Sequence, residues 1–348
     1  MANDGTSPFA LISPAVIDRL KSEAATPTAL HLIKEADKDL GQTPDPLPRV
    51  HTAGTLPHQG IWDQSVAAKK DWTRMLTLGL AYRLTGDPRY LKAAERFISA
   101  WATVYQFSFN PIDETSMDQI LLAYDLSRPG LSQPTQEKMT AFLHTMAEGY
   151  LDKIAREKTG KASDSQTNSI NNWQSHRIKL ITLAAYALGD TDLIARAHQA
   201  FQAQILVNIK PDGSVVDFYT RDALHYVVYD LEPLSTASLA AKAHGDDWFH
   251  AATSSGTSLE LALDWLMPFA LGQKTHEEFV HSTVPFDIAR AKAGVKGFAG
   301  VWDPAMSIDL YQLAALADAK YTPTLQQIVS KSGQAPQEWL TLLRQAGL

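Results

Sequence analysis

The chain contains no cysteine among its 348 residues. That excludes disulfides, thiolate metal sites and a cysteine nucleophile, while a disulfide-free protein is at home in cytoplasm or periplasm alike. Long apolar runs are missing too. No stretch approaches the roughly 18 uninterrupted apolar residues of a membrane-spanning helix, and no charged-then-apolar leader opens the sequence. Positive charge is in the minority, with 31 Lys and Arg against 38 Asp and Glu and a net charge of −7. A general polyanion-binding surface is excluded on that balance, nucleic acid with it, and any acidic ligand must be met by a local basic groove. Gly-rich phosphate loops and a Gly-x-Ser-x-Gly elbow are absent. The histidines at 51, 58, 144, 198, 225, 244 and 276 form no His-x-x-x-His pair, so neither a metal centre nor a cofactor is expected.

What is present is helical periodicity. Residues 69–84 place Trp72, Met75, Leu76, Leu80 and Leu84 at three- and four-residue steps, as one buried helical face requires. Thr85-Gly86-Asp87-Pro88 supplies a stop and a turn, after which Leu91, Ala94, Phe97, Ile98 and Trp101 resume the period. The figure returns over 178–201 with Gly189-Asp190 as the turn, more loosely at Gly245, and in hairpins at Ile120–Leu126 and around Leu310–Leu316. Turns at irregular spacing exclude a short-period solenoid. Helical hairpins of this kind bury a common face by curving into an incomplete (α/α) barrel or toroid, expected as one all-α domain over 1–348. The best β candidate is a hairpin at 204–219, turning through Pro211-Asp212-Gly213.

Two short segments hold most of the chemistry. Asn171-Asn172-Trp173-Gln174-Ser175-His176 follows a small polar stretch, with Asn168 or Ser169 able to cap a helix that puts Asn172 and His176 on one face. Arg221-Asp222-Ala223-Leu224-His225-Tyr226 reads as the start of a helix capped by Thr220 and stopped by Pro233, with Arg221, His225 and Tyr229 sharing a face. Arg221 and Tyr226, five apart, converge only if Arg221 lies in a frayed first turn. Amides, an imidazole, a guanidinium and a phenol together can neutralise a carboxylate and move a proton beside it. The blander alternative makes the asparagines caps, His176 and the tyrosines packing residues, and pairs Arg221 with Asp217 or Asp222. Trp72, Trp101 and Trp265 sit on apolar faces, whereas Trp62 and Trp173 lie beside polar loops where flat rings suit sugars. Asn110 and Glu114 are further binding candidates, and Glu114 with Asp217 or Asp63 would make a glycosidase carboxylate pair.

Four stretches resemble the alginate lyase superfamily of α/α-toroid polysaccharide lyases: Ala81–Tyr90, Asn110–Glu114 with Ala123–Leu126, Asn171-Asn172, and Ala223–Tyr226 running to Pro233-Leu234. The resemblance implies β-elimination on a polyuronate without a cofactor. Asn171 or Asn172 and Arg221 would neutralise the uronate carboxylate, and His176 and Tyr226 would transfer protons. Two positions depart from the usual pattern: Trp173 stands where a histidine follows the asparagines, and Tyr219 where an arginine precedes the tyrosine by seven. That altered pattern is most similar to the branch of endo-β-1,4-glucuronan (cellouronate) lyases, with polymannuronate or alginate as the alternative substrate. The expected partner is an acidic polysaccharide, the expected state a monomer, and the expected location periplasmic or secreted, with Met1-Ala2-Asn3-Asp4-Gly5 read as a trimmed start.

Overall fold

The computed structural model describes residues 7–158 and 166–348. It is 69% helical, with sixteen α-helices from Pro14–Leu20 to Glu338–Gln345 and no strand among the described residues. The chain gathers into two compact units, one of residues 1–151, 180–195 and 338–348, the other of 152–179 and 196–337.

In the first unit the Trp62–Thr85 helix packs against the Pro27–Asp39, Pro88–Val104 and Asp118–Ser127 helices. Its buried residues include Trp72, Met75, Leu76, Leu80 and Leu84, the five that the periodicity selects. Burying each such side chain contributes about 1.5–3 kcal/mol. The helix stops at Gly86, whose φ of 73° suits a residue without a Cβ, and Asp87 caps the next helix by accepting from the Arg89 N–H. Trp101 stacks edge-on against Trp72 with centroids 5.2 Å apart, and its indole N–H reaches Asp71 at 2.9 Å. Asp125 is buried and accepts from the backbone N–H groups of Ala10, Leu11 and Ile12, which pins the N-terminal segment. Burial pushes its carboxyl up to about 6, although those three donors favour the charged form.

The second unit is organised on the Leu224–Ala243 helix, which packs against the Leu259–Ala270 and Ile308–Ala317 helices. Pro233 does not stop this helix but lies inside it. The removed N–H bond is tolerated because fourteen residues of the helix are buried, so packing outweighs the local loss of about 3 kcal/mol. The hairpin expected at 204–219 is also different in the structure. Thr191–Asn208 is helical to its end, the Pro211-Asp212-Gly213 turn is real, and a single bridge pairs Ile209 with Val215 before the Val216–Arg221 helix begins. The turn residues carry the hairpin signal; the apolar residues on either side belong to helical faces.

Candidate active site

The Asn172–Leu188 helix begins one residue after Asn171, whose side-chain oxygen accepts the Trp173 N–H at 3.1 Å. Asn171 is therefore the capping residue, in place of Asn168 or Ser169. Residues 159–165 of the preceding polar stretch lie outside the described residues. Asn172 is almost fully buried and gives both its backbone N–H (2.7 Å) and its side-chain amide (2.9 Å) to Asp217. Burial raises the Asp217 carboxyl despite these donors. Behind them Arg177, wholly buried, makes a two-pronged ion pair with Glu157 at 2.6 and 2.7 Å. Trp173 is half-buried beside them.

Arg221 is the last residue of the Val216–Arg221 helix, not a first-turn residue. Asp222 then takes a left-handed conformation with φ of 50°, Ala223 is extended, and Leu224 starts the next helix. This break, not fraying, brings Arg221 over the Tyr226 ring at 3.7 Å from its centroid. The guanidinium is held there by Asp287, which accepts from Arg221 Nε at 2.7 Å and from Nη2, and from the Ser282 hydroxyl. Glu278 accepts from the Leu224 and His225 N–H groups at 2.7 and 3.0 Å, so a residue 54 positions away caps the helix. Burial pushes its carboxyl up to about 7.

Tyr226 is buried against Phe279 and Phe298, and its hydroxyl accepts a 2.7 Å hydrogen bond from Arg290. Burial raises the phenol pKa, while Arg221 and Arg290 oppose that rise. Tyr229 meets Tyr226 edge-on at 6.1 Å and the His176 ring at 4.3 Å, so ring contacts join the two predicted segments. Desolvation drives the His176 pKa well below its usual value, and it holds His225 at about 4. Both imidazoles are therefore neutral at pH 7 and weaker bases than an ordinary histidine.

The structure thus brings together Asn171, Asn172, His176, Arg221, His225, Tyr226 and Tyr229 in the second unit. Trp62, Asn110 and Glu114 belong to the first. Trp62 is half-buried beside His58. Asn110 caps the Pro111–Glu114 turn through the Ile112 and Asp113 N–H groups. Glu114 is fully buried and accepts from the Tyr105, Tyr150 and Ser108 hydroxyls and the Ser108 N–H. With its oxygens so occupied, Glu114 holds the 105–110 loop. Asp287, Glu278 and Arg290 escape sequence reasoning, because their partners are more than fifty residues away and no local spacing marks them. One His/Asp/Glu trio, His250, Glu260 and Asp318, is close enough to suggest a metal, but Lys320 and His250 already balance its carboxylates.

Residues 18–276 match the family model described as alginate lyase. The chain belongs to the alginate lyase family. An alginate lyase from Bacteroides ovatus is similar in structure at 17% identity, over 95% of this chain and 97% of that one, with a TM-score of 0.67. Alginate lyase A1-III from Sphingomonas species A1 is similar at 20% identity over 76% and 81% of the chains, with a TM-score of 0.53. A variant of alginate lyase A1-III complexed with tetrasaccharide gives 19%, 76%, 79% and 0.54. No curated protein matches the chain. At these identities the neighbours speak to the fold, which is the (α/α) toroid expected from the helical hairpins. As a member of the family the chain is a polysaccharide lyase acting on polyuronates.

Proposed function

We propose that this lyase cleaves a β-1,4-linked polyuronate by β-elimination at the Tyr226 site, with glucuronan as its substrate of first choice. The observation that carries the mechanism is the Tyr226 hydroxyl, buried among aromatic rings and held by a guanidinium. The C5 proton of a uronate is scarcely acidic while its carboxylate is charged, so the charge must be countered before that proton can leave. Among the described residues no acceptor takes the amide N–H groups of Asn171, and a neighbouring guanidinium supplies positive charge where the enolate-like intermediate develops. Tyr226 reacts from its phenolate, the minor form because burial raises the phenol pKa against the pull of Arg221 and Arg290. It takes the C5 proton, the C4–O4 bond breaks as the C4–C5 double bond forms, and the new phenol returns a proton to O4.

Glucuronate and mannuronate carry the C5 hydrogen and O4 on the same side of the ring, so a single phenol serves both elimination steps in either polymer. Glucuronan is preferred because Trp173 and Tyr219 replace the histidine and arginine of the usual alginate-lyase pattern. Such an enzyme meets its polymer outside the cytoplasm, so a periplasmic or secreted location goes with this reading. Incubating the protein with glucuronan, polymannuronate and polyguluronate, and following ultraviolet absorbance of the unsaturated uronate, tests it. We expect Tyr226→Phe to lose at least about 10³-fold in kcat while folding normally, the scale of a lost general acid–base group. New reducing ends without ultraviolet absorbance would replace elimination with hydrolysis, for which the saturated Glu114 is a poor acid.

A further inference from the structure

The geometry points to Arg290, rather than Arg221, as the group that grips the uronate carboxylate and sets the proton affinity of Tyr226. This rests on the elimination reading above and names the cation within it. Two guanidiniums touch Tyr226, and their surroundings differ. Arg221 stacks on the ring face while Nε and Nη2 are engaged by buried Asp287, so the pair is close to neutral and two of its three nitrogens are already committed. Arg290 has no carboxylate in ion-pair range among the described residues. Its hydrogen bond goes to the Tyr226 hydroxyl at 2.7 Å, and its guanidinium lies 4.3 Å from the Phe286 ring centroid and 4.7 Å from that of Phe298.

A half-buried guanidinium with one donor on a phenol and the rest uncommitted is an incomplete arrangement. Flanking aromatic faces hold the plane of the cation without consuming its N–H groups. Such a fork matches a carboxylate edge-on. Bound there, the uronate sits with its acid group on Arg290 and its C5 beside the hydroxyl that Arg290 already touches. Substrate charge and catalytic proton are then governed by one side chain. His225 adds no competing cation, since its ring is neutral and its Nδ1 has no hydrogen-bond partner. Arg290 lies beyond residue 276, outside the stretch that the family model matches, so the family pattern assigns it nothing.

The test compares wild type with Arg290→Ala and Arg290→Lys on the polyuronate that wild type cleaves, recording kcat, KM and the pH profile of kcat/KM. The charged and titratable groups facing Tyr226 are Arg221 with Asp287, Arg290, His225 and, through Tyr229, His176. Of these, Arg290→Ala removes the uncompensated charge. We expect kcat/KM to fall about 10²–10³-fold, as for a lost charge-stabilising donor, and the rising limb of the profile, which reports formation of the phenolate, to move up by about one pH unit. Arg290→Lys keeps a cation and should restore the limb to within a few tenths of a unit while recovering only part of the rate. A limb that stays put in Arg290→Ala, with Lys no better than Ala, would overturn the assignment and leave the lyase reading intact. Absence of unsaturated product from wild type on every polyuronate would instead overturn the lyase reading itself. Urea midpoints of the two variants, expected close to wild type, separate either result from misfolding.

Discussion

Asn172 and Asp217 are bound to one another twice, through the backbone N–H and the side-chain amide of Asn172, at 2.7 and 2.9 Å in a buried setting. A residue placed by sequence pattern among carboxylate binders is thus occupied by a carboxylate of its own chain. Removing the amide with Asn172→Ala should leave Asp217 short of a donor and cost about 1–3 kcal/mol, more if the acid stays charged. Urea unfolding of Asn172→Ala beside Asp217→Asn checks this. The double variant should lose markedly less than the sum of the two, and simple additivity would show that the pair is not coupled.

Asn171 should behave in the opposite way. Its oxygen caps a helix, so Asn171→Ala should cost about 1 kcal/mol of stability. On the proposed reading its amide N–H groups bind the uronate, so the rate should fall far more than that stability change can explain. Asn171→Asp keeps the cap and adds a charge that repels a uronate. We expect near-normal melting and a KM raised at least tenfold, and an unchanged KM would remove Asn171 from the binding groups.

Arg221 and Asp287 form a nearly buried fork, and cutting one partner strands the other. Arg221→Ala should therefore destabilise the protein by about 3–5 kcal/mol. Asp287→Asn should instead release Arg221, raise the local positive charge and shift the rising limb of the pH profile downward. A melting curve and a pH–rate profile of the two variants distinguish these effects, and an Arg221→Ala variant as stable as wild type would count against the structural role.

Glu278 gives a prediction in pH. Its folded-state carboxyl titrates at about 7 against an ordinary value of 4.5, because it is buried where it caps the Leu224–Ala243 helix. A raised pKa means that the fold prefers the protonated form. The associated stability is complete below about pH 4.5 and fades as pH climbs to about 7. Glu278→Gln mimics the protonated acid, so its melting temperature relative to wild type should rise between pH 5 and 7.5. A difference independent of pH would show that Glu278 does not titrate in this range.

The helical architecture was legible because burial of one face repeats along the chain: the five apolar residues of the Trp62–Thr85 helix are a local pattern, and Gly86 and Asp87 are local stop and start signals. The candidate site was half legible. Asn171, His176, Arg221 and Tyr226 lie in two short segments that display an amide, an imidazole, a guanidinium and a phenol at close spacing. The break at Asp222 was missed because a left-handed Asp costs little and leaves no sign in the sequence. Pro233 misled because its effect is decided by packing partners. Asp287, Glu278 and Arg290 were out of reach for the same reason, since each is defined by a side chain on another part of the chain.

The eight-residue Pro285–Lys292 helix carries Asp287 and Arg290 one turn apart, the first steadying a cation that belongs to the scaffold, the second offering one of its own. On the proposed reading, exchange of this short element alone would alter which acidic sugars are admitted and leave the helix that bears Tyr226 as it stands. Replacing those eight residues in this chain is then a direct way to move substrate choice without rebuilding a catalyst.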